Sequence, residues 1–221
     1  MRALLVPLLL LVACGPDPAE PPAPPAPPDA PAPSVTAPPA APDTLRLSID
    51  DRALADRPTA PVRVDGACPF EGCVYGEWTT TAETTVYAVG GDTTRVAFTV
   101  PAGTVLAASG GFALVTRVGQ AVVVRPAELY QSGAETRPLA VGDTLAVLDY
   151  EGEGSHRVWI DGEIGFSEAG ADVGPPGEGP AIRQTVAPAV QWWARVAAPD
   201  GRAGWLWMDR TPRVEGADAL G

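Results

Sequence analysis

The chain has 221 residues, a formal net charge of −12, 26 prolines, 24 glycines, three cysteines, one histidine and no lysine. This charge excludes passive attraction to DNA, RNA or an anionic membrane surface, because the electrostatic term is repulsive. A single histidine also leaves most zinc and acid–base sites short of ligands. We therefore expect no metal, no cofactor and no nucleic-acid partner.

Residues 1–13 predict a secretory signal peptide. Arg2 supplies the positive start, and residues 3–12 are apolar apart from Pro7. Such a run is too short to cross a bilayer, which takes about 20 residues, and it has the composition of a signal h-region. An ordinary cleaved signal with a chance cysteine behind it is the alternative.

The segment ends in Leu11-Val12-Ala13-Cys14, which resembles the lipobox of bacterial lipoproteins. The resemblance implies cleavage before Cys14 and acylation of this cysteine, so that several acyl chains hold the protein on a lipid bilayer. Gly15 follows the cysteine where an Asp would resemble an inner-membrane signal. We therefore expect an outer-membrane lipid anchor, with the protein facing the periplasm or the cell surface.

Residues 14–43 predict the lipidated cysteine followed by a disordered Pro/Ala-rich stalk. Residues 16–43 hold 13 prolines and eight alanines, with no aromatic and no basic residue. This composition favours polyproline II over a packed core. At about 3.1 Å per residue the segment extends to roughly 80 Å. A PxxP ligand for a partner is the alternative.

The rest of the chain predicts an all-β fold. After a lead-in at residues 44–57, which is either helical from Asp50 or a short strand at 45–49, β-branched and aromatic runs alternate with glycine and proline turns. The predicted strands of the first part are residues 86–88, 95–100, 104–108, 112–117 and 121–124. Gly110-Gly111 and residues 118–120 are predicted turns, and residues 126–130 a single helical turn.

The pattern then restarts after residue 130. The predicted strands of the second part are residues 144–150, 156–160, 163–166, 189–197 and 202–208, with a proline–glycine loop at 170–180. Pro199-Asp200-Gly201 predicts a hairpin turn between the last two strands. We expect two small β-barrels, residues 44–130 and 131–221, with one fused sandwich as the alternative.

The last hairpin resembles that of bacterial SH3-like domains. Its Trp192-Trp193-Ala-Arg-Val strand, Asp-Gly-Arg turn and Gly204-Trp205 strand carry the likeness, with weaker motifs at residues 101–105 and 142–148. The first part lacks a Gly-Trp strand. The resemblance implies two SH3-like β-barrels that bind ligands without catalysis, often peptidoglycan or peptides in the cell envelope.

Cys68 and Cys73 bracket a proline–glycine turn with four residues between them. In an oxidising compartment such a pair most simply forms a local disulfide. A metal site needs further thiols or imidazoles, and only His156 is available. The spacing alone also leaves open a redox-active pair or two free thiols.

Two enzyme hypotheses start from side chains in the second part. A cysteine–His156 pair lacks the helix-start context of known nucleophilic cysteines. A retaining glycosidase needs two carboxyl groups about 5 Å apart, and the acidic turns supply Glu151, Glu153, Asp161 and Glu163, which with Asp149 are also a candidate calcium site. Solvated loops explain these acids more simply. We therefore expect no enzyme.

The tryptophans are the most informative residues for function. Adjacent residues on a strand point to opposite faces, so Trp192 and Trp193 separate, while Trp205 and Trp207 share one face. Packing alone accounts for such rings. The alternative is an aromatic groove that binds an extended peptide, and its candidate ligand-binding residues are Tyr75, Trp78, Tyr87, Trp192 and Trp193. Since every basic residue is Arg, contacts with a carboxylate-bearing peptide are expected to be bidentate.

Together these patterns predict a membrane-anchored binding or scaffolding module of the cell envelope. Its expected partners are the lipid bilayer, through acylated Cys14, and peptidoglycan or an envelope protein or peptide. An accessory or regulatory subunit that docks one envelope enzyme is the alternative. A carboxylate-based cell-wall hydrolase is the least favoured function.

Overall fold

The computed structural model describes residues 44–68, 72–130, 136–152, 154–167, 179–208 and 213–218. The predicted signal peptide, the lipidated Cys14 and the stalk at residues 14–43 lie outside the described residues. In the described part of the chain the regular secondary structure consists of β-strands, which confirms the all-β prediction.

Sixteen strands are present in the described residues. The first eight are β1 Leu45–Ser48, β2 Val62–Asp65, β3 Glu77–Thr80, β4 Thr84–Tyr87, β5 Val96–Val100, β6 Val105–Arg117, β7 Gly119–Val123 and β8 Ala127–Tyr130. The others are β9 Thr136–Leu139, β10 Thr144–Gly152, β11 Ser155–Ile160, β12 Glu163–Ser167, β13 Ile182–Val186, β14 Ala189–Ala197, β15 Ala203–Met208 and β16 Val214–Glu215.

These strands form two open sheets. The nine-stranded sheet has the order β1-β2-β6-β14-β15-β4-β5, and β3 pairs with both β6 and β16 beside this path. The seven-stranded sheet has the order β13-β7-β10-β11-β12-β8-β9. The pairings among these sixteen strands are antiparallel except that of β1 with β2.

Sheet membership does not follow the predicted boundary at residue 130. Strands β14, β15 and β16 lie in the same sheet as β1 to β6, while the seven-stranded sheet is built from the strands between them in sequence. Residues Ala41–Gly221 belong to one compact unit. The all-β class is therefore established, and two separate SH3-like barrels are not confirmed.

The lead-in forms a strand rather than a helix. In β1, Leu45 and Leu47 pair in parallel register with Val62 and Val64. Leu47 is buried, because the alternating pattern places it on the core face of the sheet. Ala53 then makes an antiparallel bridge with Glu163, which ties the lead-in to the seven-stranded sheet.

The predicted turn at Gly110-Gly111 is wrong. Strand β6 continues through both glycines, and the register against β14 shifts between Arg195 and Val196, as at a β-bulge. A Cβ at Gly111 would lie 2.4 Å from the Tyr75 hydroxyl oxygen. Glycine is needed here because other atoms approach the backbone closely, and it does not end the strand.

The predicted hairpin turn at residues 118–120 is also wrong. Strands β6 and β7 do not pair with each other, because the chain passes here from one sheet to the other. Ala121 in β7 pairs instead with Leu145 of β10 and with Gln184 of β13. The glycine at position 119 allows the backbone to pass Pro188, whose nitrogen would be 2.7 Å from a Cβ.

Residues 126–130 were expected to form a helical turn, and this expectation is wrong as well. Residues 127–130 form β8, which pairs along its length with β9 and through Tyr130 with Phe166 of β12. Leu129 has no exposed surface and belongs to the core of the seven-stranded sheet. The short sequence has no local feature that reveals these two partners, so pairing with distant strands determines its conformation.

The hairpin of β14 and β15 has the predicted form. Gly201 has a φ of 83°, which a glycine adopts without strain. The Ala198 backbone N–H donates to the Arg202 carbonyl oxygen at 2.8 Å and closes the turn. This hairpin places four tryptophans in adjacent positions of the nine-stranded sheet.

Three apolar clusters stabilise the unit. One lies on the nine-stranded sheet around Trp78, Leu106 and Val196, and a second on the seven-stranded sheet around Leu129 and Leu145. The third joins the two sheets, and it combines Val62, Val64, Ala113, Val115, Leu148 and Ile164. The side chain of Trp192 packs against the first and the third cluster. Within the described residues no helix is long and apolar enough to cross a membrane.

Candidate functional site

Five aromatic rings form a continuous layer on one face of the nine-stranded sheet, which we name the aromatic face. They are Tyr87, Phe112, Trp193, Trp205 and Trp207, from strands β4, β6, β14 and β15. Trp193 lies directly across from Phe112 on one side and from Trp207 on the other. Directly opposed side chains on one face are in contact range, which is why these three rings stack.

The stacking geometry of the layer is regular. The Trp193 ring is nearly parallel to the rings of Phe112 and Trp207, with centroid separations of 6.4 and 6.0 Å. Tyr87 meets Trp193 edge-on at 5.6 Å, and Trp205 meets Phe112 edge-on at 5.0 Å. Both offset-stacked and edge-to-face pairs are favourable arrangements of aromatic rings.

Two arginines cover part of the aromatic face. The Arg63 guanidinium carbon lies 3.7 Å from the Phe112 ring centroid and 5.5 Å from that of Trp205. Arg195 lies 5.6 Å from the Trp205 centroid. Arg63 is also paired with Asp65 at 2.6 Å. The face therefore combines flat apolar rings with guanidinium groups, one of which is already paired.

Exposure differs strongly among the rings of this face. Trp193 and Phe112 are buried, Tyr87 and Trp205 are half-buried, and Trp207 is 41% exposed. A Cβ at Gly90 would lie 2.6 Å from the Phe112 ring, so this glycine lets the backbone pack onto the aromatic layer. The buried rings hold the exposed ones in place, which reduces the entropy that a ligand must offset on binding.

The structure places the five predicted ligand-binding residues in three different environments. Trp78 is fully buried, and its Nε1–H donates to the Val74 carbonyl oxygen at 2.8 Å. Trp193 is also fully buried, so neither side chain offers surface to a ligand. Tyr87 lies on the aromatic face. Tyr75 and Trp192 are half-buried and pack against the core on the other side of the sheet.

Cys68 and Cys73 form a disulfide, which confirms that prediction. Beside it, the Tyr75 hydroxyl donates to the Ala67 carbonyl oxygen at 2.7 Å. Burial raises the pKa of the Tyr75 hydroxyl to about 12, so it remains a proton donor at neutral pH. A disulfide sulfur is not a thiolate nucleophile, so the oxidised structure gives no support to a cysteine–His156 pair, the enzyme hypothesis that the sequence already disfavours.

A cavity of about 680 Å³ lies next to this disulfide, and we name it the disulfide cavity. Its walls come from strands of both sheets. They include the Cys68–Cys73 disulfide and the side chains of Tyr130, Tyr150, Glu151, Phe166 and Trp192. The volume is within the range of ligand sites, which is roughly 300 to 1,000 Å³.

A buried charged group lies behind the cavity wall. Asp149 and Arg157 have at most 1% of their side-chain surface exposed, and their closest charged atoms are 3.5 Å apart. The Arg157 guanidinium also donates to Glu151, which lines the cavity, and to the Ser48 carbonyl oxygen at 3.3 Å. Arg157 therefore joins the two carboxylates to the lead-in strand.

Burial raises the pKa of Asp149 to about 8, with a smaller opposing effect from Arg157. Neither oxygen of this carboxyl group accepts a hydrogen bond from the described residues. The nearby charge of Glu151 also favours the neutral form of Asp149. Burial therefore favours the protonated form of Asp149.

Asp161 and Glu163, two other acids of the disfavoured glycosidase and calcium hypotheses, have a different partner. Asp161 and Glu163 both bind Arg137, at 3.0 and 2.8 Å. Glu153 lies outside the described residues. The described residues contain no group of three or more His, Cys, Asp or Glu side chains that is arranged to hold a metal ion.

His156 is half-buried beside the cavity. Its ring meets that of Tyr150 edge-on at 5.3 Å. Burial lowers the pKa of the His156 imidazole, which therefore stays neutral at pH 7. This environment suits a packing residue, and no reactive cysteine thiolate is available to it among the described residues of the oxidised structure.

Sequence reasoning missed several residues of both arrangements. No local pattern marks Phe112 or Arg63 as part of the aromatic face, and the neighbouring acidic turns predict that Asp149 is solvated. Asp149 lies in the apolar run Leu145–Tyr150, where an acid surrounded by core residues is itself a signal of burial. The positions of Phe112 and Arg63 beside the hairpin follow only from strand pairing.

No protein family, no curated protein and no solved structure matches this chain.

Proposed function

We propose that this chain is a lipid-anchored binding module of the cell envelope, and that its aromatic face contacts peptidoglycan. The observation that carries the proposal is the aromatic layer, in which an exposed Trp207 and two half-buried rings rest on fully buried rings beside two arginines. Rigid flat rings with nearby guanidinium groups suit a ligand that has both apolar faces and carboxylates.

The aromatic face fits the chemistry of peptidoglycan in two respects. The apolar faces of sugar rings can lie flat on a side chain such as Trp207. Arg195 is exposed and can bind a carboxylate of a stem peptide through two parallel hydrogen bonds. The negative net charge disfavours polyanionic wall polymers and leaves this mixed ligand as the better partner.

The resemblance to SH3-like modules supports the same function. Trp193 and Trp205, two residues of the hairpin that carries the resemblance, both lie on the aromatic face. Two SH3-like barrels, the stalk at residues 14–43 and the acyl anchor at Cys14 belong to this proposal. In this proposal the acyl anchor and the stalk attach the module to the outer membrane, with the protein facing the periplasm or the cell surface.

A hydrolase is less well supported than a binding module. Asp149, the carboxyl group with the raised pKa, is fully buried and does not line the disulfide cavity. A general acid must reach the leaving-group oxygen of its substrate. Glu151 lines the cavity, but it lacks a second accessible carboxylate among the residues that define the cavity.

Sedimentation with purified peptidoglycan sacculi tests the proposal. The full-length chain is expected to sediment with sacculi, and Trp207→Ala is expected to lower the bound fraction at least fivefold. Tyr130→Ala is the matched control, since Tyr130 is a similarly exposed ring in the other sheet. An unmodified protein that stays in the supernatant, or equal binding by Trp207→Ala, would contradict the proposal.

A further inference from the structure

The disulfide cavity is a second arrangement that the proposed function does not use. Trp192 contributes to its wall, while its neighbour Trp193 belongs to the aromatic face, because adjacent residues of a strand point to opposite sides. The cavity has its own set of rings, a disulfide and a carboxylate. The disulfide cavity and the aromatic face can therefore bind different ligands.

Glu151 gives the cavity a negative group. Among the described lining residues it is the only aspartate or glutamate, and no arginine or histidine lines the cavity with it. The guanidinium of Arg157 is behind the wall and is already used by Glu151 and by the Ser48 carbonyl. Charge complementarity at the cavity surface therefore favours a cation over an anion.

The carboxylate of Glu151 can accept a further hydrogen bond or ion pair. A carboxylate offers about four lone-pair sites, of which the Arg157 guanidinium occupies one. The ion pair with the buried Arg157 also fixes the position of Glu151, so this side chain loses little further freedom when a ligand binds. The Glu151 carboxylate is therefore both charged and held in position by its ion pair with Arg157.

Aromatic rings form another part of the wall of the disulfide cavity. Phe166 already has the guanidinium groups of Arg52 and Arg157 at 5.6 and 5.7 Å from its centroid. Tyr130, Tyr150 and Trp192 are the other rings of the wall. Aromatic rings attract ammonium groups through the negative potential of their faces, most strongly where water is excluded.

We propose that the disulfide cavity binds the ammonium group of a small organic cation, with Glu151 as its counter-ion and the rings of Tyr130, Tyr150 and Trp192 around it. The cavity volume leaves space for the organic body of the ligand beside the charged group. The Cys68–Cys73 disulfide is itself part of the cavity wall.

Calorimetric titration with choline tests the proposal on the full-length oxidised chain. Choline is expected to bind saturably, and its neutral isostere 3,3-dimethylbutan-1-ol at least tenfold more weakly. Equal binding of the two compounds would show an apolar pocket without charge recognition and would overturn the proposal. The absence of saturable choline binding would overturn it as well.

Variants assign the binding to this cavity. Glu151→Gln is expected to weaken choline binding about tenfold, and Glu163→Gln, an exposed acid of the same sheet, is expected to leave it unchanged. Since Glu151→Gln also removes a partner of Arg157, Tyr130→Ala provides a second variant at an exposed position, with an expected loss of about threefold to fivefold.

Trp207→Ala separates this proposal from the proposed function. Trp207 lies on the aromatic face. In this variant the choline affinity is therefore expected to be unchanged, while the fraction that sediments with sacculi falls. Unchanged choline binding in both Glu151→Gln and Tyr130→Ala would overturn the cavity site. A failure of sedimentation with intact choline binding would overturn only the function assigned to the aromatic face.

Discussion

Replacement of Asp149 by Asn is expected to change how the stability of the protein depends on pH. Burial raises the pKa of the Asp149 carboxyl group from 3.8 to about 8, so the folded chain holds a proton that the unfolded chain releases at neutral pH. Stability therefore falls as the pH rises between these two values, because the folded state binds more protons than the unfolded state.

The size of the effect follows from the linkage relation. One proton held only by the folded state costs about 1.4 kcal/mol of stability per pH unit. Between pH 5 and pH 7 the wild-type chain is expected to lose about 2 to 3 kcal/mol through this group. Asparagine resembles the protonated carboxyl group in shape and does not titrate, so Asp149→Asn should not show this loss.

Denaturant unfolding at several pH values from 5 to 8 measures the difference. The free energy of unfolding of Asp149→Asn minus that of the wild type is expected to rise steadily with pH. This difference removes contributions common to both chains, including that of His156, whose lowered pKa gives the opposite slope below pH 6.5. Arg157 and Glu151, the charged groups that face Asp149, are present in both proteins.

Asp161→Asn is the matched control for this comparison. Asp161 is an exposed acid in the β11–β12 turn, with a side chain 73% exposed. Its φ of 49° is a conformation that asparagine also adopts readily. The control curve is expected to remain parallel to that of the wild type. Parallel curves for Asp149→Asn would refute the protonated state of the buried carboxyl group.

Four further variants, one of them a control, test the packing of the unit by denaturant unfolding at pH 7. Trp193→Ala is expected to cost about 3 to 5 kcal/mol, because it removes the fully buried centre of the aromatic layer. Arg157→Met should cost about 3 to 5 kcal/mol, because it leaves Glu151 without its buried cationic partner, whereas Arg202→Met removes only an exposed ion pair and should change the stability little. Replacing Cys68 and Cys73 together by Ser is expected to cost about 2 kcal/mol, because the closed loop is short.

The parts of the fold that were predictable from sequence are the local ones. The β14–β15 hairpin follows from alternating side chains and the Pro199-Asp200-Gly201 turn, which lie within 20 residues. The pairing of β14 with β6 brings Arg117 beside Ala189, and no local pattern indicates such a distant partner. The restart of the strand pattern after residue 130 is likewise a local feature, and the strands on its two sides contribute to both sheets.

The aromatic face was predictable in part for the same reason. The shared side of Trp205 and Trp207, and the opposite directions of Trp192 and Trp193, follow from the two-residue repeat of a strand. Which of these rings are exposed depends on Phe112 and Arg63, which come from strands distant in sequence. The β14–β15 hairpin of the aromatic face is therefore predictable from sequence, whereas the positions of Phe112 and Arg63 beside it are not.

Strand β14 links the two arrangements that we propose to bind ligands, since Trp192 lines the disulfide cavity and Trp193 supports Trp207 on the aromatic face. Both neighbours of β14 are hydrogen-bonded to it along most of its length, and Trp193 has no exposed surface. A strand fixed on both sides transmits little displacement between ligands. Trp207→Ala should thus weaken only the binding of sacculi, and Tyr130→Ala only the binding of choline. In the double variant each loss should equal that of the corresponding single variant.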